Sequence, residues 1–256
     1  MQVELPTAGL SDYKNPSQRA RIITEAWAGT NLYCASCDSP RIEPVPHNTP
    51  VIDFLCHRCR ASYQLKSQSR PLAGKITDAS YEKMCEAIRE DRTPNLLAMY
   101  YDPVAWRVRR LILVPRFAFS EAAIEKRKPL RAGARRAGWI GCNILLGNIP
   151  ADVKLSVIED GKPADPENVR RGYARVKPLA AIQPQQRGWT LDVLAAVRSL
   201  GKQSFTLAEA YSLEREIAKL HPANRHVRDK IRQQLQLLRD AGLLDFVSRG
   251  TYRLRS

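Results

Sequence analysis

Between Val51 and Lys66 the chain reads VIDFLCHRCRASYQLK, placing an aspartate, Asp53, thirteen positions before a lysine, Lys66, that follows Gln64 and Leu65. Alternate residues of a strand share a face, so Gln64 and Lys66 point together while Leu65 turns to the core. An acid at the end of one strand facing a polar-x-Lys on the next suits hydrolysis of a phosphodiester. Asp53 and Gln64 would hold a Mg²⁺ ion, which activates water and stabilises the charge that develops on the attacking and leaving oxygens. Lys66 would orient or deprotonate that water, or neutralise the pentavalent phosphorus. An Asp and a Lys at this separation are common, and the plain alternative is a solvated hairpin with ordinary surface charge.

The same stretch carries Cys56-x-x-Cys59, and Cys34-x-x-Cys37 precedes it with eighteen residues between the pairs. That spacing suits a tetrahedral Cys₄ zinc site. Two disulfides are the alternative, but the N-terminus MQVELPTAGLSDYK has no apolar signal segment, and reduced cytoplasmic thiols favour zinc. Such zinc is structural and clamps the hairpin that bears Asp53 and Lys66. Cys85 and Cys142 are left as small buried hydrophobes. His47 is left as a loop histidine, since four cysteines already complete a tetrahedral site.

The 256 residues have a formal charge of +15 and a hydrophobic content of 44%, with a pI near 9.8. A real core is possible, and no apolar stretch approaches membrane length. The charge points to a polyanionic partner. An anionic membrane is disfavoured because no basic helix carries a bulky apolar face. Residues 187–256 hold thirteen Lys/Arg against seven Asp/Glu, a net +6, leaving +9 on the rest. Both parts are basic, so both are candidates for nucleic acid.

The elements that must position these residues follow from periodicity and breakers. Residues 17–27 predict an amphipathic helix capped by Ser17, with a stripe through Ala20, Ile23 and Trp27. Glu25 rides on it, and a solvated glutamate is preferred there to one facing the metal. Residues 41–50 and the polar stretch after Lys66, through Pro71 and Gly74, read as loops. Residues 80–89 read as a helix, 95–101 and 110–115 as strands of one sheet, and 120–126 as a short capped helix. In RAGARRAGWIGCNILL, Arg135, Arg136 and Trp139 sit on a glycine-bearing turn before a strand, which suits phosphate contacts with an aromatic against a base. Taken alone, a core tryptophan is the preferred reading. Residues 159–186 read as a turn, a helix and a linker. The last seventy residues read as a winged helix: a helix capped by Thr190, a second capped at Phe205-Thr206, a third from about Arg225 to Ala241, and a hairpin turning at Arg249-Gly250. The third helix offers Arg225, His226, Arg228, Asp229, Arg232 and Gln233 to a major groove, with Arg249 on the wing.

Taken together, SQRARIITEAW, the two Cys-x-x-Cys pairs, VIDF, LKS, ARRAGWIGCNI, QRGWT and IRQQLQLLRD resemble the DpnI-like restriction endonucleases from about Lys14 to the C-terminus. The resemblance implies an α/β (α+β) chain with a PD-(D/E)XK mixed-sheet nuclease core and zinc knuckle over residues 1–182, and a winged-helix domain over 183–256. It implies a type II, Mg²⁺-dependent enzyme of a restriction-modification system, cutting double-stranded DNA at GATC when the adenine carries an N6-methyl. A cytoplasmic bacterial or archaeal monomer is expected. A pocket for the methyl gains only about 0.8 kcal/mol per CH₂-sized group, so strict dependence needs both adenines read, a second reading domain, or a water that clashes or is stranded in the unmethylated site.

The sequence departs from the family pattern at Gln64, where an acid is expected. An amide oxygen can ligate Mg²⁺ but supplies no charge. Three explanations remain open: a natural variant that is active, a carboxylate moved to Glu25, Asp78 or Glu82, or an inactive protein. The rival function is therefore a methyl-adenine reader, or a winged-helix regulator, that binds without cutting.

Overall fold

The computed structural model describes residues 1–7, 15–46, 49, 51–72 and 74–255, so His47 and Lys14 lie outside the described residues. In chain order the elements are α1 (Pro16–Asn31), β1 (Glu43–Pro44), β2 (Phe54–Leu55), β3 (Ser62–Gln68), β4 (Lys75–Ser80), α2 (Tyr81–Arg89), β5 (Asn95–Asp102), β6 (Arg107–Val114), β7 (Ile124–Lys126), β8 (Gly141–Leu145), β9 (Leu155–Glu159), β10 (Lys162–Pro163), α3 (Pro166–Val176), α4 (Pro184–Ser199), β11 (Ser204–Thr206), α5 (Leu207–Ser212), α6 (Glu214–Leu220), α7 (Val227–Asp240), β12 (Leu244–Ser248) and β13 (Thr251–Leu254). No helix among the described residues is long and apolar enough to cross a membrane.

Two compact units emerge, and the chain passes between them more than once. The first comprises residues 1–73, 94–116 and 154–174; the second comprises 74–93, 117–153 and 175–256. The first is built on a seven-stranded mixed sheet in the order β1-β2-β3-β5-β6-β9-β10. Among the described residues only β3 and β5 pair in parallel, Tyr63 opposite Asn95 through Gln68 opposite Tyr100. A parallel pair needs a crossover, and residues 69–94 supply it. β5 and the second half of β6, from Leu111, are apolar runs, as strands covered on both faces are, and Leu96, Met99, Leu111 and Leu113 are fully buried. α1 closes one side of the core with Ile23, Trp27 and Ala28.

The second unit holds two three-stranded antiparallel sheets, β4-β8-β7 and β11-β13-β12. The latter is the wing sheet. Val227, Ile231, Leu235 and Leu238 of α7 are all buried, as the four-four-three spacing requires. Thr206 caps α5 in a full capping box with Glu209.

Several expected elements differ. The cap of α1 is Asn15, whose side chain accepts from the N–H groups of Ser17 and Gln18, and not Ser17. A strand, β1, lies within the proline-rich residues 41–50. The polar stretch after Lys66 contains β4, paired along β8. Residues 121–123 form one 3₁₀ turn and 124–126 a strand, in place of a helix, because Ile124 to Lys126 complete the ladder on β8. The helix expected within 159–186 is α3, but a 3₁₀ turn over Lys177–Ala181 occupies part of the expected linker. α4 begins at Pro184, so Thr190 is interior and its hydroxyl bonds back to the Gln186 carbonyl and to Gln234. The second helix breaks at Leu213 into α5 and α6.

Candidate functional site

The β2–β3 hairpin carries both chemical groups. Phe54 pairs with Tyr63 and Leu55 with Ser62, so the Cys56–Cys59 turn forms the hairpin tip and Asp53 lies at its base. Asp53 precedes β2, where the sequence suggested that the acid ends a strand. Its backbone N–H donates to the Tyr63 carbonyl at 2.9 Å, and its Oδ2 accepts from the Leu65 N–H at 2.8 Å. Just before it, Val51 has φ 67°, a left-handed conformation that a β-branched residue adopts only under strain.

Along β3 the alternation is as the spacing implies. Leu65 is buried against the core; Gln64 and Lys66 share the opposite face. Gln64 is only 8% exposed. Burial pushes the Asp53 carboxyl up; the Leu65 N–H holds it down, the charge of Glu25 pushes it up further, and Lys66 and Arg21 pull it back. Three charged groups, from α1 and β3, therefore act on Asp53.

Glu25, expected as a solvated glutamate, is partly buried and ion-paired on α1. α1 meets β3 through Thr24, whose Oγ1 lies 3.0 Å from Ser67 Oγ, and Glu25 follows with its side chain only 26% exposed. Arg21 Nε donates to Glu25 Oε1 at 2.6 Å. The helical stripe was the available signal, since it places Thr24 and Glu25 at the margin of the buried face. Asp78 and Glu82, the other candidate acids, sit on β4 and α2, in the second unit.

The four knuckle cysteines converge. Their sulfur atoms all lie within 4.8 Å of one another, with Cys34 3.5 Å from Cys59 and Cys37 3.6 Å from Cys56. Disulfide sulfurs lie near 2.05 Å, whereas Zn–S bonds of about 2.3 Å in a tetrahedron put sulfurs about 3.8 Å apart. All six cysteines are free thiols. Burial pushes the Cys34 thiol up. At Cys56 burial acts in the same sense, yet the N–H groups of Cys59 and Arg58 and the neighbouring thiols bring it down to about 7. Donated N–H groups of that kind favour thiolate, the form that binds metal.

The knuckle is tied into the unit from two directions. Tyr63 Oη lies 3.1 Å from Cys34 Sγ and accepts from the Ala35 N–H at 3.2 Å. Arg170 of α3 donates to the carbonyls of Cys34 and Ser39 at 3.1 and 3.0 Å and lies over the Tyr33 ring.

The basic residues fall in the second unit. Arg135 and Arg136 are exposed on the turn before β8, which Gly138 closes at φ 80°. Trp139 is half-buried and folds over Gly141, where a Cβ would meet its ring at 2.8 Å. Arg225, His226, Arg228, Arg232, Gln233 and Arg249 are all exposed. Arg228 Nε bonds Glu214 at 2.7 Å, and Gln233 accepts from Lys230 at 3.0 Å. Arg187, in the QRGWT segment, has a different task. It is 3% exposed, pairs with Asp91 and donates to the Ile182 carbonyl, anchoring α4.

The model of the Dam-replacing family, DpnI, matches residues 1–182, and that of the Dam-replacing HTH domain matches residues 185–254. The chain thus belongs to the DpnI Dam-replacing family and ends in that family's helix–turn–helix domain.

Proposed function

We propose that this protein is a Mg²⁺-dependent restriction endonuclease that hydrolyses double-stranded DNA at GATC containing N6-methyladenine. The observation that carries the reading is the hairpin that brings Asp53 to the base of the strand displaying Gln64 and Lys66, within the span matched to the family. The donor set fits a hard divalent cation, since a carboxylate and an amide offer oxygen ligands. Asp53 would hold it through Oδ1, because Oδ2 is engaged by the Leu65 N–H; Gln64 would add its amide oxygen. When bound, the ion supplies Lewis-acid stabilisation and an activated water. Lys66 places its ammonium beside the phosphate to orient the attacking water and offset charge on the non-bridging oxygens. Cys34, Cys37, Cys56 and Cys59 would hold a structural zinc.

In the same reading the functional boundary falls after residue 182, and residues 183–256 bind DNA. α7 enters the major groove with Arg225, His226, Arg228, Arg232 and Gln233, and Arg249 contacts the backbone. Arg135 and Arg136 grip phosphates, and Trp139 packs against a base or its methyl group. The neutral Gln64 favours a second reading, a methyl-adenine reader that binds without cutting.

The test is cleavage of GATC duplexes, fully methylated and unmethylated, in Mg²⁺ and Mn²⁺, beside binding in Ca²⁺. Methyl-dependent cutting supports the nuclease. Methyl-dependent binding without cutting in either metal favours the reader, and Gln64→Glu would then restore cleavage.

A further inference from the structure

The side chain of Asp192, on α4, is 3% exposed, and both of its oxygens are engaged. Oδ1 accepts from Ser120 Oγ at 2.8 Å, and Oδ2 lies 3.0 Å from His221 Nε2. Trp189, one turn earlier and so on the same face of α4, stacks on the His221 ring at 3.5 Å. His221 closes α6 and opens the turn into α7. From there hydrogen bonds run on to the helix. The His221 carbonyl accepts from the Asn224 N–H at 3.0 Å, Asn224 Oδ1 accepts from the His226 N–H at 2.8 Å, and the His226 carbonyl accepts from the Lys230 N–H at 3.1 Å. His226 makes no side-chain cap, so this turn fixes where α7 begins. On the other side, Ser120 starts the 3₁₀ turn that leads into β7. That strand runs into a turn tied by its own bonds, Arg127 N–H to the Gly141 carbonyl and Leu130 N–H to the Trp139 carbonyl, each at 3.0 Å. The same turn carries Arg135 and Arg136, and all of these residues belong to the second unit. A buried carboxylate is poor evidence for stability, since an apolar core of the same shape serves at least as well; its attested use is to fix one geometry among several.

We propose that Asp192 is a positioning residue for DNA reading: through His221 it aims the N-terminus of α7, through Ser120 it holds the strand that leads to Arg135 and Arg136, and the one carboxylate thereby sets the spacing of the two basic surfaces. This rests on the reading of both surfaces as DNA contacts. Asp192 itself is too buried to touch the DNA. Phosphate contacts tolerate small displacements because they act through charge, whereas hydrogen bonds to base edges weaken steeply once distance and angle are lost. Loosening the cluster therefore lowers selectivity and spares non-specific binding.

The experiment measures affinity by fluorescence anisotropy, in Ca²⁺ and over a series of salt concentrations, for the full-length protein on a methylated GATC duplex and on one with the site scrambled. The variants are His221→Phe, which keeps a ring on Trp189 and removes Nε2, Ser120→Ala, which removes a single oxygen, and the two combined, each with its thermal midpoint. Each single variant is expected to lose about tenfold on the methylated site, the size of one mismatched base pair, with non-specific affinity and the salt slope as in wild type. The double variant should lose less than about threefold more, because both bonds serve one carboxylate, where independent sites would multiply to about a hundredfold. An unchanged ratio of specific to non-specific affinity in either single variant, whether or not the midpoint falls, overturns the positioning role and leaves the DNA-binding reading standing; so do losses that multiply. A wild type that does not prefer the methylated site overturns both.

Discussion

Asp53 Oδ2 accepts a hydrogen bond from the N–H of Leu65 at 2.8 Å, the residue whose neighbours on either side are Gln64 and Lys66. This bond locks the acid to the register of β3, and it partly offsets the burial that pushes the carboxyl up. The folded pKa lies above the unfolded one, so ionising Asp53 costs stability as pH rises from the ordinary carboxylate value through the raised value. Asp53→Asn is therefore expected to abolish cleavage and to stabilise the fold by about 1 kcal/mol at neutral pH, a rise of about 2–4 °C in Tm. Thermal melts of both proteins from pH 3 to 8 check this. The gain should shrink to nothing at the acid end, and a gain that grows on acidification would refute the assignment of Asp53 as the strained group.

Tyr63 couples the knuckle to β3, because its hydroxyl touches Cys34 Sγ and holds the Ala35 N–H while its backbone precedes Gln64. Groups of this kind orient metal ligands and typically carry about 10–100-fold in affinity. Tyr63→Phe should weaken zinc by that order in a competition with a chromophoric chelator. Equal zinc retention by the two proteins would reduce Tyr63 to a packing residue.

Val51 combines φ 67° with 44% exposure. Glycine adopts that conformation freely, and the substitution sacrifices little burial. Val51→Gly should therefore raise stability by about 1 kcal/mol, the lower end of the cost of such strain, as read by urea denaturation. A lower midpoint would show that the β-branched side chain holds the entry to Asp53 in place.

At the start of α5, Lys202 first, then the Thr206 N–H and hydroxyl, hold the Glu209 carboxyl down to about 2. A depressed carboxyl contributes stability that is fully present above its unfolded pKa and is lost as pH falls through the folded one. The window runs from the ordinary value of 4.5 down to about 2. Thr206→Ala should cost about 1 kcal/mol at neutral pH, and the difference between variant and wild type should narrow across that window.

Arg135 and Arg136 have no carboxylate partner among the described residues and stand exposed. If each meets a phosphate, replacing both with alanine should lower the slope of log K against log salt by about 0.9 for each phosphate that is no longer neutralised. Weaker binding with an unchanged slope would place them outside the interface.

What the sequence determined on its own was local or periodic. The Cys-x-x-Cys spacing, the alternation of Gln64, Leu65 and Lys66, the α7 stripe and the Thr206 cap each depend on a few neighbouring residues, and each is present in the structure. Where pairing or burial is set by distant partners, tertiary structure decided. β4 is a strand because β8 pairs with it across more than sixty residues of chain, and its own composition is that of a polar loop. Ile124 to Lys126 leave a helical pattern for the same ladder, and Arg187 is buried because Asp91 awaits it. The influence of Glu25 on the Asp53 carboxyl belongs to the same class: periodicity puts Glu25 at the edge of a buried face, but only the docking of α1 on β3 through Thr24 and Ser67 brings its charge to bear there. Side-chain direction on one element follows from backbone geometry alone, whereas the field at a site is summed over elements that the chain brings together only on folding.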